Sequence, residues 1–168
     1  TPYGGIGSNW NWPALFLGCQ FSEQALGRQC VMFQLRVADP TGNAVPVAQA
    51  VLSLPYPFPA NKREDCLFLW FVVATPERAL KAFGIQDRFS VLPAILDVAV
   101  QCSIGHGLEG RIGLHADAKG SAAENDALSN KYQKYGLAQR KKSWTFFRFP
   151  HRPDDGRLFY FSPDAARS

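Results

Sequence analysis

Two tyrosines three residues apart, Tyr132 and Tyr135, sit at the end of the stretch "ENDALSNKYQKYGLAQ", just before a Gly136-Leu137 step. A phenol is a hydrogen-bond donor with an ordinary pKa near 10, so it can protonate a leaving group held beside it. It is equally an amphipathic side chain that covers a core edge with its ring. Other residues able to do chemistry are scattered. Glu64 and Asp65 precede a long apolar run and Glu77 follows it, His115 closes "RIGLH", and His106 and His151 fall in loops. A strand-end histidine either bonds to a substrate, acts as a base, or is simply hydrogen-bonded. The sequence holds no Ser-His-Asp order, no Gly-Lys-Ser/Thr phosphate loop and no metal-ligand cluster, so no metal is expected.

The chain has 168 residues, 46% of them hydrophobic and 19% charged. That is enough apolar material for one domain with a real core, and the expected organisation is a single domain over residues 1–168. The four cysteines, Cys19, Cys30, Cys66 and Cys102, include no C-x-x-C pair. Cys66 and Cys102 lie in apolar stretches as small hydrophobes, which favours a reducing, cytoplasmic compartment. No apolar run approaches the roughly 20 residues of a membrane span, and no signal core is present, so the chain reads as soluble with no membrane partner. It begins with Thr1 rather than Met, as a segment trimmed from a longer chain would. A net charge of +4 suits an anionic partner, but the only dense basic run is Arg140, Lys141 and Lys142, which reads as a solvated loop, so nucleic acid is not the expected partner.

These residues need elements to position them. Residues 1–9 are rich in turn formers and read as an irregular arm. Trp10, Trp12, Leu15, Phe16 and Cys19 recur at helical spacing, with Gly27 as the stop. "CVMFQLRVAD" alternates Val31, Phe33, Leu35 and Val37 on one face; "PTGN" supplies a turn, and "AVPVAQAVLSL" pairs back as a second antiparallel strand. "PYPFPANKRED" reads as a Pro-rich connector, and "CLFLWFVVA" (66–74) as a central strand covered on both faces. "TPERALKAFG" has Thr75 as N-cap, Pro76 as first helical residue and Gly84 as stop. "SVLPAILDVAVQCSIGHG" is a helix with Ser90 as N-cap, Leu92, Ile95, Leu96, Ala99 and Cys102 on one face, and Gly105 or Gly107 at its end. "GRIGLHA" is a short strand, "SAAENDALSNKYQKYG" a helix, and "WTFFRFPHRPDDGRLFYFS" a strand, turn and strand. The order predicts mixed α and β, a largely antiparallel sheet with a parallel crossover at its centre.

In this order "LFLWFVVA", "LPAILDVAVQCSIGHGLEGRIGLHA" and "NDALSNKYQKYGL", followed by a closing hairpin, resemble the GNAT acyltransferase superfamily over about the last two thirds of the chain. "WNWPAL" is similar to the first helix of some bacterial members. The resemblance implies an α/β (α+β) fold: a twisted mixed sheet, mostly antiparallel with splayed central parallel strands, flanked by helices. It also implies transfer of an acetyl group from acetyl-CoA to an amine of a small molecule or protein.

Residue by residue, Asn125 matches the Asn of the family's helix motif, Tyr132 its second aromatic and Gly136-Leu137 its end; Lys131 replaces the usual first aromatic and Leu128 the small residue. The resemblance makes Tyr132 the general acid that protonates departing CoA, while Tyr135 packs on a neighbouring face. Asn125 then contacts cofactor, or simply favours the helix start. Backbone donors from Phe71, Val72, Val73 and Ala74 would hold the pantetheine arm. The pyrophosphate loop corresponds to "IQDRFSVLPAILD", which has no glycine, and Pro93 removes a donor. Gln86, Arg88 and the amides of Ser90 and Val91 remain as an anion site there, or Arg88 is a solvated residue before an ordinary capped helix. The attacking amine must be neutral, which makes Glu77 or His115 candidate bases, although a carboxylate in a helix's first turn is favoured there by the dipole alone. The alternative is a GNAT fold that has lost catalysis and works as a protein-interaction module or homodimer. The glycine-free loop, the extra helix at 76–83 and the exposed-looking aromatics of "NWNW" and "PYPFP" favour it.

Overall fold

The computed structural model describes residues 12–85, 90–117, 121–142 and 154–167. The first strand of the expected closing hairpin, the N-terminal arm and most of "NWNW" lie outside these. Six strands form a mixed sheet in the order β1-β2-β3-β4-β6-β5, flanked by helices. They are β1 (Gln29–Ala38), β2 (Ala44–Pro57), β3 (Asp65–Ala74), β4 (Ile112–His115), β5 (Ala138–Gln139) and β6 (Leu158–Phe161). The helices are α1 (Trp12–Leu26), α2 (Glu77–Ala82), α3 (Val91–Gly105), α4 (Ala122–Lys134) and α5 (Pro163–Arg167). Cα proximity groups the chain into two compact units, Thr1–Ser53 with Trp70–Leu96, and Leu54–Leu69 with Asp97–Ser168.

In the first unit α1 stops at Gly27, whose φ is 61°. β1 alternates as its sequence predicts, with Val31, Phe33, Leu35 and Val37 turned inward. Leu35 and Val37 pack on a cluster of Val45, Val47, Leu80 and Ile85. Thr75 is not the cap of α2. Its N–H and hydroxyl both bond back to β2, to the carbonyls of Val47 and Pro46 at 2.9 Å each, and Pro76 takes the N-cap position without a side-chain cap. Continuing the strand satisfies two donors at once, whereas capping would satisfy one.

In the second unit β2 runs on to Pro57, three residues past the expected end, and its prolines do not break it because Tyr56 turns inward and stacks on Phe68 at 4.1 Å. Tyr56 and Phe58 are therefore buried core residues rather than an exposed aromatic surface. Cys66 to Leu69 are fully buried, but Trp70 to Val73 are only half-buried, so coverage on both faces holds for the first half of β3 alone. β3 and β4 pair in parallel over Leu67↔Ile112, Phe68↔Gly113 and Leu69↔Leu114. β4–β6 and β5–β6 are antiparallel. Gly113 sits where a Cβ would lie 3.0 Å from the Pro59 ring and 3.1 Å from Phe68, so only glycine fits this strand position without a shift. Ile95, Leu96 and Ala99 on α3 are buried as its periodicity predicts, and Cys66 is buried with its thiol pKa pushed well up by desolvation.

α4 opens with a reciprocal cap. Ser121 Oγ accepts from the Glu124 N–H, and the Glu124 carboxylate accepts from the Ser121 N–H at 2.7 Å. Ser121→Ala removes one half of this box, and we expect it to cost about 1 kcal/mol in urea unfolding, with α4 amides losing exchange protection first.

Candidate functional site

Tyr132 lies in the last turn of α4, and the Leu137 N–H folds back to the Tyr132 carbonyl at 3.2 Å to close the helix end. Its half-buried ring lies against Phe159 of β6, centroids 5.1 Å apart. Phe159 is fully buried and pairs with Leu114 on β4 and Gln139 on β5, so the ring that supports Tyr132 sits on a strand paired on both sides. Burial, and then the negative charge of Asp117, push the phenol above its ordinary value. No hydrogen bond engages its hydroxyl among the described residues. Tyr135 is the half-buried residue that caps the helix.

Asn125 stands seven residues before Tyr132, two turns back on the same face. Its Oδ1 is shielded from solvent and has no hydrogen-bond partner among the described residues. A buried acceptor left unsatisfied is costly, and such atoms recur where a ligand supplies the missing donor.

His115 closes β4 with its side chain only 4% exposed, and Nε2 donates to Asp155 Oδ1 at 3.0 Å. Asp155 also accepts from the Arg157 guanidinium at 2.6 and 2.8 Å and from the Arg157 N–H at 3.0 Å. Burial alone would raise the Asp155 carboxyl, but the bonds from Arg157 and His115 outweigh it and hold the pKa below the ordinary 3.8. A depressed folded pKa means that the ionised form stabilises the fold above the unfolded value, and that this contribution fades as pH falls through the folded one. The stability gap between the parent and Asp155→Asn is therefore expected to be full at neutral pH and to close steadily below the ordinary value, as urea midpoints over an acid series would show.

The remaining candidates are dispersed. Glu77 is exposed in the first turn of α2 and pairs with Lys81 at 3.0 Å, four residues on. Phe71, Val72 and Val73 are half-buried and Ala74 exposed at the end of β3. Ser90 is exposed just before α3, and Val91 opens that helix half-buried. Gln86 and Arg88 lie outside the described residues. The structure brings Tyr132 and Asn125 together on one helix face. Sequence reasoning missed Asp155, which reaches His115 from 40 residues away, and Arg157, which holds Asp155 in place; both read locally as part of a turn. It also took Arg140 for a solvated residue. Its Nε reaches both oxygens of Asp154 at 3.2 Å and its Nη1 the Pro59 carbonyl at 2.6 Å.

Among the described residues no group of three or more His, Cys, Asp or Glu side chains could hold a metal ion, and no helix is long and apolar enough to cross a membrane. No protein-family model and no curated protein sequence matches the chain.

Proposed function

We propose that the chain is an acetyl-CoA-dependent N-acyltransferase of the GNAT type, acting on an amine in the cytoplasm. The observation that carries this reading is the shared face of α4, where a phenol with a raised pKa and a buried, unsatisfied Asn125 oxygen lie two turns apart. The parallel β3–β4 pair supports it: three residue pairs are in register, and β3 continues from Leu69 to Ala74 beyond the last of them. In the proposed fold these two strands splay there within a mostly antiparallel sheet. Acetyl-CoA supplies an acyl thioester and a leaving thiolate.

Within the second unit, Asn125 would accept a hydrogen bond from an amide N–H of the pantetheine arm. As a neutral amine attacks the thioester carbonyl and the tetrahedral adduct collapses, Tyr132 would give its phenolic proton to the departing sulfur. Glu77 or His115 would relay the amine's proton. For His115 the bond to Asp155 commits Nε2, so this relay would run through Nδ1.

Calorimetric titration with acetyl-CoA, against desulfo-CoA and buffer, tests the reading. Micromolar binding with amine-dependent release of free thiol supports it; no heat up to millimolar ligand overturns it. A second reading, a catalytically silent GNAT fold that binds protein, draws on Leu17 and Phe21, which are 64% and 60% exposed four residues apart on α1. Under that reading acetyl-CoA does not bind.

A further inference from the structure

Cys19 and Cys30 have no C-x-x-C spacing, yet the fold brings them together where α1 gives way to β1. Gly27, with φ of 61°, turns the chain out of the helix, and β1 starts at Gln29. The strand then lies against the helix it has just left. Glu23 fixes that approach, because its Oε1 accepts the Cys30 N–H at 3.0 Å. Cys19 stands one turn before Glu23 on the same helix face, so the residue that holds Cys30 also brings Cys19 to it. The two thiols are hydrogen-bonded to each other, and the bond favours the protonated form of Cys19, which makes Cys19 the donor.

Burial first, then that hydrogen bond and the charges of Cys30 and Glu23, push the Cys19 thiol up to about 12. Its proton therefore stays on the sulfur and points at Cys30. Both cysteines are half-buried rather than sealed in. Gly18, Gln20, Glu23 and Gln29 around them are exposed, and a Cβ added at Gly18 would meet open space, so a small molecule reaches the pair from solvent. Cys66 is the contrast, a fully buried thiol that packs as a small hydrophobe. Both Cys19 and Cys30 belong to the first compact unit, so their meeting is local to it.

We propose that Cys19 and Cys30 are a reversible disulfide site whose oxidant is a small peroxide. Cys30, as thiolate, attacks one peroxide oxygen. An S–O bond forms, the O–O bond breaks, and the leaving oxygen takes up the proton that Cys30 lost, departing as water or an alcohol. The sulfenic acid on Cys30 then meets the thiol beside it. The Cys19 sulfur attacks the Cys30 sulfur, the S–S bond forms, the S–O bond breaks, and the departing hydroxide takes the Cys19 proton as water. Two thiols have lost two electrons, and the peroxide has gained them. A disulfide needs sulfurs roughly 2 Å apart, so both side chains rotate inward from hydrogen-bonding separation. The Glu23 charge disfavours a thiolate beside it, which sets the site to answer peroxide in excess rather than in traces. Thiol–disulfide exchange with a small dithiol restores the pair, so in a reducing compartment the bond is transient. The assignment stands apart from acyl transfer.

The test treats the full chain with excess hydrogen peroxide, then denatures it, alkylates the remaining thiols and maps the peptides by mass spectrometry. The expected result is the loss of two alkylatable thiols, one peptide pair joined through Cys19 and Cys30, and recovery of both thiols with dithiothreitol, while Cys66 and Cys102 stay alkylatable. In Cys19→Ser the resolving thiol is gone, so Cys30 should stop at the sulfenic acid and be captured by dimedone. In Cys30→Ser the same treatment should leave Cys19 alkylatable. The proposal is overturned if both thiols of the parent survive the peroxide, if Cys102 is oxidised as readily as the pair, or if the link forms between two chains. Dimedone capture at Cys19 in Cys30→Ser would overturn the assigned order of attack. The map of the parent needs no variant, so a variant that fails to fold leaves the main decision in place. All of these readouts follow sulfur rather than turnover, so this site and the acyl-transfer reading fail separately.

Discussion

Replacing Tyr132 by Phe is expected to lower acetyl transfer by about a hundredfold or more, with acetyl-CoA affinity and stability almost unchanged. The substitution deletes one oxygen and leaves the ring on Phe159 in place. That oxygen makes no hydrogen bond among the described residues, so folding should shift by no more than about 0.5 kcal/mol. Turnover is different, because in the proposed reaction the proton for the leaving sulfur would come from this hydroxyl. The raised pKa adds a second readout. A group that works in its protonated form loses activity as pH rises through its pKa, so the alkaline limb set by Tyr132 should fall above the ordinary phenol value of 10.0. In the Phe variant that limb should disappear along with most of the rate. Stopped-flow assays of thiol release decide the matter: unchanged turnover with intact binding removes Tyr132 as the acid, and an intact fold with lost binding moves it to a contact role.

The elements that the sequence made legible are those whose signals are local. α1 stops at Gly27, α3 shows its buried face at Ile95, Leu96 and Ala99, and β1 alternates cleanly, because periodicity and punctuation act within a few residues. What was not legible depended on partners distant in the chain. β5 is two residues long and exists only because β6 offers a ladder, so no window of sequence could reveal it. Thr75 has an ordinary cap signature, yet the carbonyls of Pro46 and Val47 outcompeted the helix for its two donors. Tyr56 and Phe58 sit among prolines that argue for a loop, but Phe68 and Tyr160 cover them. The candidate site divides in the same way. The Tyr132–Asn125 spacing is helical arithmetic, visible in one stretch of chain. The Asp155 clamp on His115 and the Asp154 clamp on Arg140 are cross-chain ion pairs, and in sequence they are merely two acids in a turn.

Phe159→Ala is expected to have the largest effect on stability, about 3–5 kcal/mol, a large share of the 5–15 kcal/mol typical of a domain. The side chain is fully buried, its strand pairs on both sides, and its ring carries Tyr132, so truncation opens a cavity lined by sheet residues that are too constrained by hydrogen bonds to collapse. Full unfolding of the Ala variant would itself fit this account. Phe159→Leu then provides the graded measurement, keeping most of the volume at an expected cost of about 1.5 kcal/mol in urea. A loss well under 1 kcal/mol for Phe159→Ala would mean that β6 does not carry the packed ring the structure assigns to it. Activity discriminates further. If Phe159 sets the pose of the phenol, Phe159→Leu lowers turnover even where the protein is fully folded, and adding Tyr132→Phe to it costs less than it does in the parent, since two residues serving one proton transfer do not lose it twice.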